Sequence, residues 1–209
     1  MFVSWARRTA IAAGWAFTVS TAAVAQQKLE LTPFLAGFVP LSTLGSVRVP
    51  LSGGQPNVVD GQMKTSGAFG GRLSVWVGER WGLEGSYFLS TSDLRITSGV
   101  FSRSVDAEMH GGSVKAFFQA TNEPTGTDLL VSGGVSGILH RGPAFSLANE
   151  QLDLGGVLGG GLHVVMSPLV TFRIDGEIYL YRYAFAPGFA SVTQTDLLMT
   201  VGLGLKLAR

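Results

Sequence analysis

Between Val170 and Tyr183 polar and apolar residues alternate with a period of two. Val170, Phe172, Ile174, Gly176, Ile178 and Leu180 share one parity, and Thr171, Arg173, Asp175, Glu177, Tyr179 and Tyr181 the other. Successive side chains of a strand point to opposite faces, so this pattern predicts a strand with one apolar and one charged face. It is longer than the ~5–6 residues usual in globular sheets.

The same period recurs along the chain. It predicts strands over Lys28–Val39, Ser66–Val77, Leu83–Ser92, about Val105–Gln119, Thr127–Leu139, Gln151–Val165 and Thr193–Leu207. With Val170–Tyr183 these make eight, and helical periodicity is nearly absent. Pro33 interrupts the first, because proline cannot donate to a ladder. Arg72, Glu84, Lys115 and Lys206 fall on the polar parity, as Arg173, Asp175 and Glu177 do. In Val105–Gln119 the acids Asp106 and Glu108, with His110, fall on the apolar parity. Either a bulge at Gly111–Gly112 resets the faces, or these residues stand beyond the apolar band.

The connections alternate in length. Pro40–Lys64, the polar stretch after Ser92, Arg141–Glu150 and the segment around Pro187–Gly188 are long. Gly78–Gly82, Thr121–Gly126 and Ser167–Pro168 are shorter. Membrane barrels combine short turns on one side with longer loops on the other, an even strand count and antiparallel order.

Alternation alone does not say which face points inward. A lipid-facing Arg or Lys at mid-membrane costs about 2–4 kcal/mol, so a membrane barrel must hold its charges inside. Composition favours that orientation. Hydrophobic residues make up 46% of the 209 and charged ones 14%, while Gly contributes 29. The polar face is thin and rich in Gly, Ser and Thr, whereas a solvated face carries more Lys and Glu. Trp76, Trp81, Tyr87, Phe117, Phe118, Tyr181 and Tyr183 lie near strand ends, where interfacial aromatic girdles would sit. The expectation is an all-β, eight-stranded antiparallel up-and-down transmembrane β-barrel over residues 26–209. Arg72, Glu84, Lys115, Arg173, Asp175, Glu177 and Lys206 are expected to form an interior, structural ion-pair network.

Residues 1–25 read as a cleaved signal peptide. Arg7 and Arg8 precede the apolar run Ile11–Val19, and Ala23-Val24-Ala25 is a small-x-small cleavage site marked by Ala23 and Ala25. Without that segment 13 basic residues face 14 acidic ones, so nothing predicts a nucleic-acid partner. The absence of cysteine excludes disulfides and thiolate chemistry.

Glu30-Leu31-Thr32-Pro33-Phe34-Leu35-Ala36-Gly37-Phe38, Gly70-Gly71-Arg72-Leu73 and the last strand together resemble the small outer-membrane β-barrels of Gram-negative bacteria. The likeness is to the outer membrane protein A transmembrane-domain type. It implies export across the inner membrane and a place in the outer membrane, with the lipid bilayer and the outer-membrane assembly machinery as partners. Thr200, Gly202, Leu205 and Leu207 match the spacing of the family's C-terminal assembly signal. The family usually ends on an aromatic residue, whereas this sequence ends Ala208-Arg209.

Little else carries chemistry. Gly155-Gly156-Val157-Leu158-Gly159-Gly160-Gly161 lacks the Lys-Ser/Thr of a phosphate loop. His110, His140 and His163 have no ligand-spaced partner, and no nucleophile motif occurs. No metal, cofactor or catalytic residue is expected. The reading is a non-enzymatic barrel with a structural or surface-interaction role, carried by its extracellular loops, chiefly Pro40–Lys64, toward an unspecified partner. One alternative is a narrow channel or lateral gate for small hydrophobic molecules, resembling the outer membrane protein W group. Another is a secreted soluble barrel binding an apolar ligand.

Overall fold

The computed structural model describes residues 28–49, 57–98, 101–121, 126–145, 152–183 and 191–208. The signal peptide and its Ala23 and Ala25 lie outside them. Among the described residues ten strands occur: β1 (Leu29–Pro40), β2 (Gly45–Val49), β3 (Asn57–Met63), β4 (Ser66–Trp76), β5 (Trp81–Ser98), β6 (Phe101–Gln119), β7 (Thr127–Arg141), β8 (Leu152–Val165), β9 (Val170–Tyr183) and β10 (Val192–Ala208). A short 3-10 helix, Pro143–Phe145, follows β7. No described helix is long and apolar enough to cross a membrane.

All ten strands belong to one sheet in the order β2-β3-β5-β4-β1-β10-β9-β8-β7-β6, and β5 pairs with β6 as well. The ladders described are antiparallel. The expected eight-stranded up-and-down barrel is therefore corrected: the described residues form ten strands, and β3 pairs with β5, out of chain order. The extra pair comes from Pro40–Lys64, expected to be a loop. Its strands β2 and β3 are only 5 and 7 residues long. Gly, Pro and Ser around them mask so short an alternation.

A second correction concerns the polar connection expected after Ser92. β5 runs on to Ser98 and β6 begins at Phe101, with one unbroken register from Trp81↔Phe118 to Ser98↔Phe101. No bulge interrupts Gly111–Gly112, which pair with Phe88 and Tyr87. Asp106 and Glu108 therefore keep the outward parity of Val114 and are exposed above it. Asp93-Leu94-Arg95-Ile96 reads as a connection by polarity, yet it holds strand period: Leu94 is buried and Ile96 packs against the core.

β1 shows the cost of its proline locally. Its ladder to β4 passes through Pro33↔Gly71 without interruption, whereas on the β10 side the register skips Thr32 and Pro33. The tight turn after β4 is closed by Val77 N–H donating to the Trp81 carbonyl at 2.9 Å. The turn after β8 has Met166 N–H donating to the Val170 carbonyl at 3.0 Å.

Candidate functional site

The two faces of the sheet differ in the sense opposite to a soluble core. Leu35 is 68% and Leu154 74% exposed, while Arg72 is 2% and Glu84 1% exposed. Aliphatic side chains of every long strand form the outer surface, among them Leu73, Leu83, Val114, Val131, Leu158, Ile174 and Leu203. The enclosed face carries the charges.

Six of those charges meet in one layer. Arg72 enters from β4, Glu84 from β5, Lys115 from β6, and Arg173, Asp175 and Glu177 from β9. Arg72 Nη2 lies 3.0 Å from Glu177 Oε1, and its Nη1 pairs with Asp175. Lys115 Nζ lies 2.9 Å from Glu84 Oε1 and also pairs with Glu177. Arg173 Nε reaches Asp175 Oδ1 at 2.9 Å, and its Nη1 pairs with Glu84. Three cations and three carboxylates thus cancel in formal charge. Neighbours fill part of their remaining bonding capacity, while Arg72 Nε, 3.7 Å from Glu84 Oε1, makes no hydrogen bond. Ser74 donates to Glu84 Oε2 at 2.8 Å, Tyr179 to Glu177 Oε2 at 2.7 Å, and Arg72 to Thr200 Oγ1 at 3.0 Å. The Phe34 ring lies under the Arg72 guanidinium, 4.7 Å from centroid to carbon, a cation–π contact.

Glycines make this layer fit. A Cβ on Gly161 would collide with the Asp175 carboxylate, and one on Gly111 with the Phe88 ring. The glycine-rich run of β8 is thus part of a strand wall whose inward positions yield their volume to larger side chains from neighbouring strands.

Below the ionic layer, toward the short turns, His163 Nε2 lies 3.2 Å from Glu30 Oε2, and Trp76 packs edge-on against Phe117 at 4.7 Å. Above it the enclosed face turns apolar. Phe38, Phe88, Met109, Ile138, Val157 and Leu198 are buried there, with Phe88 5.6 Å from the Tyr179 ring. Higher still, Tyr181 donates to Asp196 Oδ2 at 2.7 Å and His140 Nδ1 lies 3.5 Å from Asp153 Oδ2. Phe145 and Tyr183 pack against the His140 ring.

Two expectations change here. Phe117, Tyr181 and Tyr183 are buried inside and do not form an outer girdle; Trp81 and Tyr87 are exposed on the outer surface. The upper interior is an apolar core where a polar axis was expected. Parity already placed Phe34, Phe88 and Tyr179 with the charged residues, and that was the available signal. Lys206 is half-buried in β10 and makes none of the six-residue layer's ion pairs. Thr200 and Gly202 face inward, while Leu205 and Leu207 are exposed on the outer face. Thr200 also bonds to Arg72, which residue type and spacing did not indicate.

Above the apolar band a second feature stands out. β3 extends the upper end of β5, from Val59↔Ser98 to Met63↔Leu94, and β2 extends β3. With the first residues of β6 they form a four-stranded projection. At its base Lys64 Nζ and Asp93 Oδ2 are 2.8 Å apart. Among the described residues no group of His, Cys, Asp and Glu is arranged to hold a metal ion.

No family model matches the sequence, and no curated protein does. Solved structures match by shape. The outer membrane protein OprG from Pseudomonas aeruginosa aligns with a TM-score of 0.66 at 11% identity, over 88% of this chain and 98% of that one. The fold is that of the small outer-membrane β-barrels. The outer membrane protein AlkL, solved in lipid bilayers, aligns with a TM-score of 0.60 at 10% identity, covering 100% of this chain and 98% of its own. Neisserial surface protein A gives 0.59 at 8% identity, over 86% of this chain and 97% of that one.

Proposed function

We propose that this chain is a non-enzymatic β-barrel of the Gram-negative outer membrane, with a structural or surface-interaction role carried by its projecting β2–β3–β5–β6 sheet. The observation that carries the reading is the inverted polarity of the wall. A continuous apolar outer surface is stable against acyl chains, and the opposing charges are satisfied among themselves away from lipid. A soluble barrel with an apolar ligand would need the opposite arrangement. The interior is occupied by side chains from the Trp76–Phe117 floor through the ionic layer to the apolar core, which supports a plugged barrel over a conducting one.

On this reading the chain is exported by a signal peptide cleaved after Ala25, and the assembly machinery recognises Thr200, Gly202, Leu205 and Leu207. The long-connection side faces outward. The likeness to an outer membrane protein and to a surface protein supports that placement.

Envelope fractionation followed by gel mobility of boiled and unboiled samples tests it. The mature chain is expected in the outer-membrane fraction, with different mobility before and after boiling. Recovery in the aqueous fraction without detergent would overturn the reading.

A further inference from the structure

The outer wall is not uniform. One row crosses four strands as Tyr87, Gly112, Gly137 and Leu154, each the register partner of the next. Two adjacent glycines on the outward face leave a trough whose floor is open at Gly112, with Tyr87 as one bank and, as the other, Leu152 and Leu154 leaning over Gly137. It continues between Val114–Val135 and Leu139–Leu152 as an open groove of about 660 Å³. At ~3.3 Å per residue the four steps from Val114 to His110 make it about 13 Å long. The strand pairing beneath is unbroken, so the trough does not open into the barrel interior.

Its lining is apolar apart from one end. There Tyr87 Oη and His110 Nδ1 are hydrogen-bonded at 2.7 Å. Beyond His110 the outer face of β6 turns charged, at Glu108 and Asp106. Hydrocarbon depth along the trough, a polar pair at its upper mouth and charges above reproduce the polarity profile of one lipid molecule standing in a leaflet.

We propose that this trough is a lipid-binding site holding one acyl chain of an outer-leaflet lipid, with the headgroup at Tyr87–His110. The inference rests on the membrane reading above. Lipid tails are as apolar as leucine, so selectivity here comes from shape: a chain lying in the trough gains packing contacts on three sides that a chain on a convex wall lacks.

The test uses barrels reconstituted in dimyristoylphosphatidylcholine nanodiscs and released into native mass spectrometry, with retained phosphatidylcholine counted. Gly112→Leu fills the trough. A Cβ at Gly112 meets nothing nearer than the Ser86 carbonyl oxygen at 3.6 Å, so the wall tolerates it. Gly37→Leu, on an outward position of β1 with open space around it, is the control, and Gly112→Val is a smaller second variant. Wild type and Gly37→Leu are expected to retain one lipid per barrel. Gly112→Leu and Gly112→Val lose most of it, and Tyr87→Phe combined with His110→Ala weakens it. Equal retention by inserted wild type and Gly112 variants overturns this inference alone. A chain that fails to enter the discs overturns the membrane reading and this inference with it.

Discussion

Arg72 of β4 and Glu177 of β9 meet at 3.0 Å although 105 residues separate them in sequence. The contact lies between strands that are not neighbours in the sheet, so it spans the enclosed space and does not run along a ladder. It belongs to a layer with no net formal charge. Desolvating six charges is costly, and mutual pairing offsets that cost only while the set is complete.

Removing one member should therefore cost more than removing a pair. Arg72→Ala is expected to destabilise the barrel by about 3–5 kcal/mol, the usual penalty for an uncompensated buried charge. Arg72→Met combined with Glu177→Met should be milder than the sum of its single variants. Reversible denaturant unfolding in lipid vesicles, followed by tryptophan fluorescence, measures both. A cycle with no coupling would show that the layer is not a unit.

The inward glycines give a second prediction. Gly161→Ala must displace the Asp175 carboxylate, and Gly111→Ala the Phe88 ring; each is expected to cost about 1–3 kcal/mol, as overpacking does. Gly67→Ala, with nothing within 4 Å of its added Cβ, should be close to neutral. Equal effects at all three positions would remove the volume argument and leave only strand propensity.

How much of this was readable from the residues varies along the chain. Strand period and face parity were plain wherever large apolar residues alternated with charged ones, as in β9. They placed Arg72, Glu84, Lys115, Arg173, Asp175 and Glu177 on one face. Parity could not show that Thr200 completes the layer, because a threonine on the polar face carries no signal of its partner. The β2–β3 hairpin escaped because its strands are short and set among glycine and proline. The ends of β5 and β6 escaped for a different reason. Above the apolar band the outer face becomes polar while Leu94, Ala107 and Met109 turn inward, so the period persists with its polarity exchanged. A reading that equates apolar with outward loses the strand where the surroundings change.

That exchange yields a third prediction, on depth. Leu73→Lys, in the apolar band, is expected to cost about 2–4 kcal/mol in a bilayer, whereas Thr91→Lys, higher on the same face, should cost about 0–1 kcal/mol. Unfolding in vesicles compares them. Similar costs would mean that the band does not end where the polarity changes.

The projection supplies a fourth. Deleting residues 45–61 removes β2 and most of β3, which pair only with each other and with the end of β5. The shortened chain is expected to reach the outer membrane and keep its heat-modifiable mobility, because the remaining ladders do not depend on the hairpin. Lys64→Ala should change stability by less than about 1 kcal/mol, since its pair with Asp93 is half-exposed. Failure of the deletion variant to fold would make the hairpin structural, not a surface element.

The orientation of the wall is tested most directly by fluorescence quenching from within the bilayer. The chain has no cysteine, so single cysteines can be introduced at Leu73, Leu154 and Leu203 on one face and at Ser74, Ser86 and Ser136 on the other. Each is labelled with a small fluorophore in vesicles of chain-brominated phosphatidylcholine. Strong quenching at the three leucine positions and little at the three serine positions is the predicted result. Strong quenching at the serines, with the leucine positions shielded, would contradict it.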